Sequence, residues 1–239
     1  MNGTSTDAPA GAASTIPARH WFFDFDGTLA DTDPDIRGTW TETLAELGLE
    51  CPHFASVYKT GPTLDDISRM LFPGADGELL EKIRSGFKRN YDKSPLSRSL
   101  PYPGVEEWLC ALRRAGRKLY ILTNKRFTAL KRLVSAYGWD GLFDGLYAGD
   151  MDPARKRPKS ELFAFALRER EIAPEDAVVA GDTAGDVDAA HRNGAAALGV
   201  TWGYGADSLG EADFTVDAPP AADAPCAAAA RRPRPGARA

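Results

Sequence analysis

The sequence predicts an α/β protein with a Rossmann-like parallel sheet core flanked by helices and an inserted α-helical cap subdomain. From Arg98 onward, short apolar runs that resemble buried strands alternate with helical patterns. This alternation is typical of a parallel sheet with helices on both faces. The stretch from Asp35 to about Ser97 is helical and charged and contains no strand-like run. It interrupts the alternation, which indicates an insertion.

The strands of the predicted core are apolar runs with little charge. The first lies in HWFFDF, at residues 20–25, where aromatic residues follow one another closely. Later runs predict strands at KLYILT and AVVAGD, a short one at GLYAG, and a last one at AAALGVTW. Helical patterns separate these runs at residues 104–115, 127–137, 160–170 and 184–193.

The inserted block predicts a series of helices with polar faces. The first begins near Asp35, carries apolar residues at helical spacing and is ended by Gly48. Two more cover residues 63–72 and 76–91, and both are rich in charge. A charged helix series of this kind predicts a small subdomain beside the sheet.

These patterns define a domain organisation. Residues 19–33 and 98–217 form the predicted α/β core, and residues 34–97 form the predicted helical cap. The ends are rich in small residues, and the C-terminal end also in Ala, Pro and Arg, so they have little to bury. We therefore expect residues 1–18 and 218–239 to be disordered tails.

Composition and charge exclude several classes of function. The 239-residue chain has a net charge of -5 and a pI near 5.3, which argues against nucleic-acid binding. It contains no apolar run near the ~20 residues that a membrane span needs, and its start does not resemble a signal peptide. Its three cysteines share no metal-binding spacing and cannot all pair, as in a reducing compartment. We expect a cytoplasmic protein without nucleic-acid or membrane partners.

Polar side chains stand where the predicted strands end. Open parallel sheets bind ligands at the carboxyl ends of their strands, so residues from separate strands meet there. Each residue alone has an ordinary explanation, because Asp and Thr after a strand often cap a helix or a turn. Their convergence predicts a functional site. The converging residues are Asp24, Asp26, Thr123, Asn124, Asp182 and Asp186, with Lys159 at the helix before AVVAGD.

Four of these stretches resemble the motifs of one protein family. DFDGTLADT, LTNK, RPKSEL and GDTAGDVDAAHRNG are similar to the four motifs of the haloacid dehalogenase-like hydrolase superfamily. The resemblance covers roughly residues 20–205, and the helical insertion after the first motif resembles the small cap of the phosphoglycolate phosphatase-like branch. TGPTLDDI resembles a turn that is frequent in that branch, and this makes Gly61 a candidate substrate-binding residue.

The resemblance implies a phosphoryl-transfer mechanism that the residues fit. A carboxylate such as Asp24 attacks phosphorus and forms an aspartyl-phosphate, which divides hydrolysis into two steps. The like charges of carboxylate and phosphate repel each other by ~4 kcal/mol per pair at an effective dielectric near 20, so a cation is needed. Mg²⁺ prefers a few carboxylates with waters and a phosphate. The implied ligands are Asp24, Asp182 and the backbone carbonyl of Asp26, with Asp186 acting through water or as a partner of Lys159.

Asp26 has a different implied role. Two residues along a strand place it on the same face as Asp24, and the turn at Gly27 brings it over the phosphate. There it protonates the leaving alkoxide and later takes a proton from water. The resemblance assigns it this acid–base role, and a carboxylate at this position favours phosphoryl transfer over C–Cl cleavage. The remaining explanation is a turn cap before Thr28.

The phosphate itself is expected to meet neutral donors. Thr123 and Asn124 offer hydroxyl, amide and backbone N–H groups, and Gly27 allows close approach of the backbone. Lys125 and Arg126 are candidates for contacts with the rest of the substrate, or they are surface charges at a helix start. A basic group in the cap is either an anion clamp or a solvated helix face. It comprises Lys82, Arg84, Lys88, Arg89 and Lys93.

The third motif offers two lysines. Lys159 lies at the entrance of the helix that leads back to AVVAGD, with Pro158 directly before it. Lys156 lies in a run with Arg155 and Arg157 that is typical of a solvated loop. We therefore predict that Lys159 is the catalytic lysine.

The sequence thus predicts a Mg²⁺-dependent phosphatase for a small phosphorylated metabolite, either phosphoglycolate-like, a nucleotide or a sugar phosphate. One alternative is a phosphomutase of the beta-phosphoglucomutase kind, which shares the acids and a helical cap. Another is a non-catalytic regulator that binds a phosphorylated ligand, although such a protein has no need of both Asp24 and Asp26. The sequence does not indicate whether the protein is a monomer or an oligomer.

Overall fold

A single parallel sheet forms the centre of the protein. The structure is a computed structural model, and it describes residues 16–152 and 154–220. The sheet has six strands in the order β5-β4-β1-β6-β7-β8, and all of the pairings are parallel. The strands are β1 (His20–Phe23), β4 (Lys118–Thr123), β5 (Gly145–Ala148), β6 (Ala177–Gly181), β7 (Ala196–Val200) and β8 (Phe214–Val216).

Strand β1 lies at the centre because its side chains are apolar on both faces. Trp21 and Phe23 pack into one core cluster and Phe22 into another, since successive side chains of a strand alternate between faces. Phe23 is in register with Ile121 of β4 and with Ala180 of β6. This register brings the carboxyl ends of the three strands to one edge of the sheet.

In the part of the chain that the structure describes, four helices cover the two faces of the sheet, as α/β architecture requires. One core cluster contains residues of α5 (Val105–Arg114) and α6 (Phe127–Ala136), and the other contains residues of α7 (Lys159–Glu169) and α8 (Ala184–Arg192). Trp108 of α5 meets the rings of Trp21 and Phe23 edge to face, at 6.1 and 5.2 Å between centroids. Edge-to-face packing of this kind adds to the stability that burial provides.

A helical segment, residues 33–93, is inserted between two short strands. Its helices are α1 (Asp33–Glu46), α2 (Phe54–Val57), α3 (Leu64–Leu71) and α4 (Gly77–Lys93). Strands β2 (Ala30–Asp31) and β3 (Leu100–Pro101) pair antiparallel at the base of the segment. The chain therefore leaves the core and returns to it at neighbouring points.

The helical segment is held together by an apolar interface and joined to the core by a buried carboxylate. Trp40 of α1 packs on Phe87 of α4 with 4.8 Å between ring centroids. The buried Asp35 carboxylate accepts hydrogen bonds from the backbone N–H groups of Arg98 and Ser99, and from the Ser99 hydroxyl. Asp35 thus fastens the start of α1 to the segment that returns to the sheet.

The predicted fold class is confirmed: a parallel sheet is flanked by helices, and helical elements are inserted after β1. AAALGVTW was expected to hold the last strand, and this is wrong, because β8 follows as a parallel edge strand. Helix α2 and the β2–β3 pair were not predicted either. None of the helices in the described ranges is long and apolar enough to cross a membrane.

The predicted tails lie largely outside the described residues. Residues 1–15 and 221–239 are in this group, so the prediction of disorder stays a prediction there. Within the N-terminal stretch, Ile16 and Ala18 are buried, and Ile16 is part of a core cluster. The division into a core and a helical cap at residues 34 and 97 also stays a prediction.

Candidate active site

Three carboxylates meet at the carboxyl edge of the sheet. Asp24 directly follows β1, Asp182 follows β6, and Asp186 lies in the first turn of α8. Each offers an oxygen atom, these oxygens all lie within 4.8 Å of one another, and the three side chains are buried. The sequence-predicted acids at this edge are therefore brought together, apart from the Asp26 side chain.

Lys159 is the cation of this cluster. Its Nζ lies 2.9 Å from Asp24 Oδ2 and 2.6 Å from Asp186 Oδ1, and its side chain is 8% exposed. Although burial lowers the pKa of Lys159, the Asp186 and Asp24 carboxylates raise it above the ordinary value, so the ammonium stays charged. By contrast, Lys156 is exposed and forms an ion pair with Asp65 of α3 at 3.1 Å. The geometry favours Lys159 over Lys156 as the lysine of the site.

Among the described residues, the acids of this cluster outnumber its cations. Three carboxylates face one ammonium, so two negative charges remain when all acids are ionised. Burial raises the pKa of Asp24 to about 7, against the opposing effect of Lys159. Burial also raises the pKa of Asp182 to about 6, and the neighbouring Asp186 adds to it. Closely spaced oxygen ligands with an excess of two negative charges fit a divalent cation such as Mg²⁺.

The Asp182 carboxylate is fixed by the loop after β7 as well as by the first motif. Oδ2 accepts the backbone N–H groups of Tyr204 at 2.7 Å and Gly205 at 3.2 Å, and Oδ1 accepts the Thr28 hydroxyl at 3.2 Å. Gly27 has a φ of +81°, and a Cβ atom at this position would collide with the Asp182 carboxylate. The predicted glycine turn is therefore required by close packing against a carboxylate.

Asp186 already uses both of its oxygens within the protein. Oδ1 pairs with Lys159, and Oδ2 accepts the backbone N–H and the hydroxyl of Thr183 in a capping box at the start of α8. Of the two roles expected for Asp186, partner of Lys159 or ligand through water, the structure contains the first. A direct role as metal ligand stays a prediction.

The Asp26 side chain turns away from the acidic cluster. Its Oδ1 accepts the Thr32 hydroxyl and the Lys125 ammonium, each at 2.7 Å. Lys125 is buried, and its Nζ also donates to Tyr91 Oη in α4 at 2.7 Å. Burial lowers the pKa of Lys125, but Asp26 and Tyr91 together raise it above the ordinary value. Of the two alternatives given for Lys125, a substrate contact or a surface charge at a helix start, the surface charge is wrong, because the side chain is 1% exposed.

Two of the remaining predicted substrate residues, Asn124 and Gly61, line a cleft between the sheet edge and the helical segment. Asn124 is exposed on the cleft wall, and Gly61 lines it from the loop before α3. Thr123 is buried, and its hydroxyl accepts the backbone N–H of Lys125. Most other walls of the cleft are apolar. The lining residues include Ile36, Trp40, Leu64, Ile67, Phe87 and Tyr91, with Asp26, Lys125 and Arg126 at the core side.

The basic group of the helical segment does not line this cleft. Lys82 pairs with Glu78, Arg84 with Asp65 and Glu81, and Arg89 with Glu46. Surface ion pairs of this kind contribute little to stability. The structure therefore favours a solvated, ion-paired face over an anion clamp.

Sequence reasoning missed several residues that shape the site. Tyr204 donates its backbone N–H to Asp182, and its hydroxyl accepts the N–H groups of Thr32 and Asp33 and donates to Asp31. Nothing in the local sequence predicts this link. Lys125 directly follows Asn124 in the second motif, and this position indicates that it lies near the site. Its burial against Tyr91 depends on long-range packing, which the local sequence does not predict.

Comparison with known proteins places this geometry in a family. The haloacid dehalogenase-like hydrolase family model matches residues 21–200. A phosphoglycolate phosphatase from Aquifex aeolicus is 31% identical over 199 residues, which cover 82% of this chain and 91% of that protein. A 5'-nucleotidase from Pseudomonas aeruginosa is 28% identical over 186 residues, with 77% and 83% covered.

Solved structures agree with the sequence relatives. A crystal structure described as a predicted phosphatase from Clostridium acetobutylicum has a TM-score of 0.75 at 26% identity and covers 84% of this chain and 94% of that one. The chain therefore belongs to the haloacid dehalogenase-like hydrolase family. Within it, the chain is a phosphatase of the phosphoglycolate phosphatase-like group.

Proposed function

We propose that this protein is a cytoplasmic, Mg²⁺-dependent phosphatase that hydrolyses a small phosphorylated metabolite through an aspartyl-phosphate on Asp24. The observation that carries the proposal is the pair of distinct carboxylate environments at the end of β1. Asp24 is buried in the acidic cluster with Lys159, while Asp26 lines the cleft outside it. A nucleophile and a separate acid–base group are the two parts that this reaction needs.

In the first step, the Asp24 carboxylate attacks phosphorus and the bond to the leaving oxygen breaks. Asp24 Oδ1 accepts the Phe25 backbone N–H at 2.8 Å and Oδ2 pairs with Lys159, so the carboxylate is held in one orientation. When bound by Asp24, Asp182 and the Asp26 carbonyl, Mg²⁺ supplies positive charge that offsets the repulsion between carboxylate and phosphate. Lys159 adds a fixed positive charge beside the same oxygens.

Asp26 moves the protons of both steps. In its protonated form it gives a proton to the oxygen of the leaving alcohol as the phosphoester bond breaks. In the second step, the same carboxylate takes a proton from the water that attacks the aspartyl-phosphate and releases phosphate. Thr123, Asn124 and Gly27 lie at the same edge and would bind phosphate oxygens through hydroxyl, amide and backbone groups.

The helical segment acts as a cap that encloses the leaving group. The cleft between the segment and the sheet edge has mostly apolar walls, so closure excludes water from the reacting phosphate. The relatives' names include both a phosphoglycolate phosphatase and a 5'-nucleotidase. These relatives support a phosphomonoester substrate. They do not distinguish between phosphoglycolate-like compounds, nucleotides and sugar phosphates.

Turnover of p-nitrophenyl phosphate with Mg²⁺ and with a chelator tests the proposal. We expect Mg²⁺-dependent release of phosphate. We expect Asp24→Asn to lose this activity and still to show the cooperative thermal unfolding of a folded protein. If that variant kept more than a tenth of the wild-type kcat, covalent catalysis by Asp24 would be wrong. Conversion of one hexose phosphate into another would favour the phosphomutase, and binding without any turnover would favour the regulator.

A further inference from the structure

Lys125 is a buried cation that the mechanism above does not use. Its side chain is 1% exposed, and its Nζ lies 2.7 Å from Asp26 Oδ1 and 2.7 Å from Tyr91 Oη. The same nitrogen lies 5.6 Å from the centre of the Phe25 ring. An ammonium buried in this way costs several kcal/mol unless it is well paired, so its position depends on these few partners.

The hydrogen bonds of Asp26 are unequally shared between its two oxygens. Oδ1 accepts both the Thr32 hydroxyl and the Lys125 ammonium. Within the described part of the chain, Oδ2 accepts no hydrogen bond, and Asp26 lines the cleft. Two donors on one oxygen restrict the orientation of the carboxyl group and leave Oδ2 without a protein donor among the described residues.

We propose that Lys125 is a positioning residue for proton transfer by Asp26, and that Tyr91 of the helical segment holds Lys125 in place. The inference rests on the proposed function, in which Asp26 protonates the leaving group. Lys125 orients Asp26 through Oδ1 and does not itself touch the reacting atoms. The helical segment then supplies part of the acid–base apparatus, in addition to covering the cleft.

The position of Tyr91 is itself well determined. Its ring stacks on Phe87 at 5.4 Å between centroids, and Phe87 packs on Trp40 of α1. The next residue in α4, Asp92, forms an ion pair with Arg126 at 2.7 Å. Lys125 and Arg126 therefore connect the second motif with the same turn of α4, one through a buried contact and the other through a partly exposed one.

A pair of aryl phosphates isolates the proton-transfer role. Phenyl phosphate and p-nitrophenyl phosphate have closely similar shapes, but phenol is the weaker acid and depends more on protonation as it leaves. The kcat/KM of each ester reports the steps up to release of that phenol. A loss confined to phenyl phosphate indicates impaired proton transfer, and an equal loss on both esters indicates a general structural defect.

We expect Lys125→Met to lower kcat/KM for phenyl phosphate by about 10²-fold, the scale of general acid catalysis, and for p-nitrophenyl phosphate by less than about tenfold. Tyr91→Phe keeps the ring packing and removes only the hydroxyl. It should lower the phenyl phosphate value by about three- to tenfold and leave the other within about twofold, since one hydrogen bond is lost. The KM for each ester should change little.

Two control variants match these changes. Lys131→Met removes an exposed lysine of α6 that lies over the Phe127 ring. Tyr137→Phe removes a buried hydroxyl near Phe25 that has no hydrogen-bond partner among the described residues. Both should keep the wild-type ratio of the two kcat/KM values.

A double variant provides the decisive comparison. If Lys125 acts through Asp26, Lys125→Met combined with Asp26→Asn should be no slower than Asp26→Asn alone, because residues that act as a unit are not additive. Full additivity, equal losses on both esters, or an unchanged ester ratio in Lys125→Met and Tyr91→Phe would each overturn the inference. A wild type that hydrolyses neither ester with Mg²⁺ overturns the proposed function, which is a different result.

Discussion

Asp24 and Asp26 are two residues apart, yet their surroundings differ. Asp24 is 6% exposed beside Lys159, Asp182 and Asp186, and burial raises its pKa to about 7. Asp26 contacts Lys125 and Thr32 instead. The chain bends at Phe25, between the two residues, so equal chemical groups meet unequal environments. Such separation is what assigns different roles to paired carboxyl groups.

The two lysines of the third motif should differ in their effect on activity. Lys159→Ala removes the cation between Asp24 and Asp186, and we expect kcat/KM to fall at least ~10²-fold, the scale for one preorganised electrostatic contact. Lys156→Ala breaks only an exposed pair with Asp65, so its kcat/KM should stay within about threefold of wild type. Steady-state kinetics at saturating Mg²⁺ measure both, and the reverse ranking would assign the third motif to Lys156.

Gly27→Ala should weaken Mg²⁺ binding. The added Cβ would collide with the Asp182 carboxylate, and the left-handed backbone at Gly27 disfavours any other residue. We expect the Mg²⁺ affinity, measured by calorimetry, to fall by about tenfold or more. Gly48→Ala is the matched control: Gly48 also has a positive φ, but nothing lies within 4 Å of its Cβ position. It should cost about 1 kcal/mol of stability and leave Mg²⁺ affinity unchanged, and equal affinity losses would contradict the packing argument.

At the scale of elements, helices and strands were predicted correctly where the spacing of apolar residues in the sequence matches the face that the element buries. The apolar runs at KLYILT and AVVAGD became β4 and β6, and the pattern at residues 104–115 became α5. These elements bury a full face or both faces, so their hydrophobic pattern carries the signal. The convergence of Asp24 and Asp182 followed from the parallel sheet, because register aligns the ends of β1 and β6.

Elements that depend on long-range contacts were missed. Strand β8 has three residues and is only partly buried, and β2 and β3 have two residues each. None of the three is long enough to show a periodic hydrophobic pattern. The carboxylates at Asp35 and Asp26 pair with groups 63 and 99 residues away in the sequence. Local spacing contains no information about such partners. This explains why Tyr91 and Tyr204 were not identified as parts of the site, and why the contact of Lys125 with Asp26 was not predicted.

The connection between the helical segment and the core should weaken when Asp35 is replaced. Asp35→Ala leaves the buried Ser99 N–H and hydroxyl without their acceptor, and we expect a loss of about 2–3 kcal/mol in the free energy of unfolding. Arg98 is largely exposed and can be solvated instead. Denaturant unfolding measures the loss. Glu42→Ala changes an exposed acid on the same helix and should stay within about 0.5 kcal/mol of wild type; a similar loss there would refute a specific role of Asp35.

At the scale of the whole molecule, the acidic cluster connects metal binding, pH and stability. The cluster joins the ends of β1 and β6 with α7 and α8, so its charge acts on the centre of the sheet. The pKa of Asp24 is raised to about 7 and that of Asp182 to about 6, both by burial. Between about pH 4 and pH 7, these two carboxylates therefore bind fewer protons in the unfolded state than in the metal-free folded state. Its stability should fall as the pH rises through this window.

Magnesium should reverse this trend, because it binds the ionised form of the same carboxylates. At pH 8, Mg²⁺ at about 100 times its Kd should add about 2.7 kcal/mol, which corresponds to a rise of about 5–10 °C in Tm for a chain of this size. At pH 5, where protons compete for Asp24 and Asp182, the rise should be small. Thermal melts at fixed ionic strength, with Mg²⁺ and with a chelator, measure the rise in Tm at both pH values.

Two variants test whether this rise comes from the acidic cluster. Asp182→Asn should lose most of the rise at pH 8. Asp188→Asn removes an exposed acid of α8 that pairs with Arg192, and it should keep the rise. Equal stabilisation at pH 5 and pH 8 would show that the cation binds outside the acidic cluster.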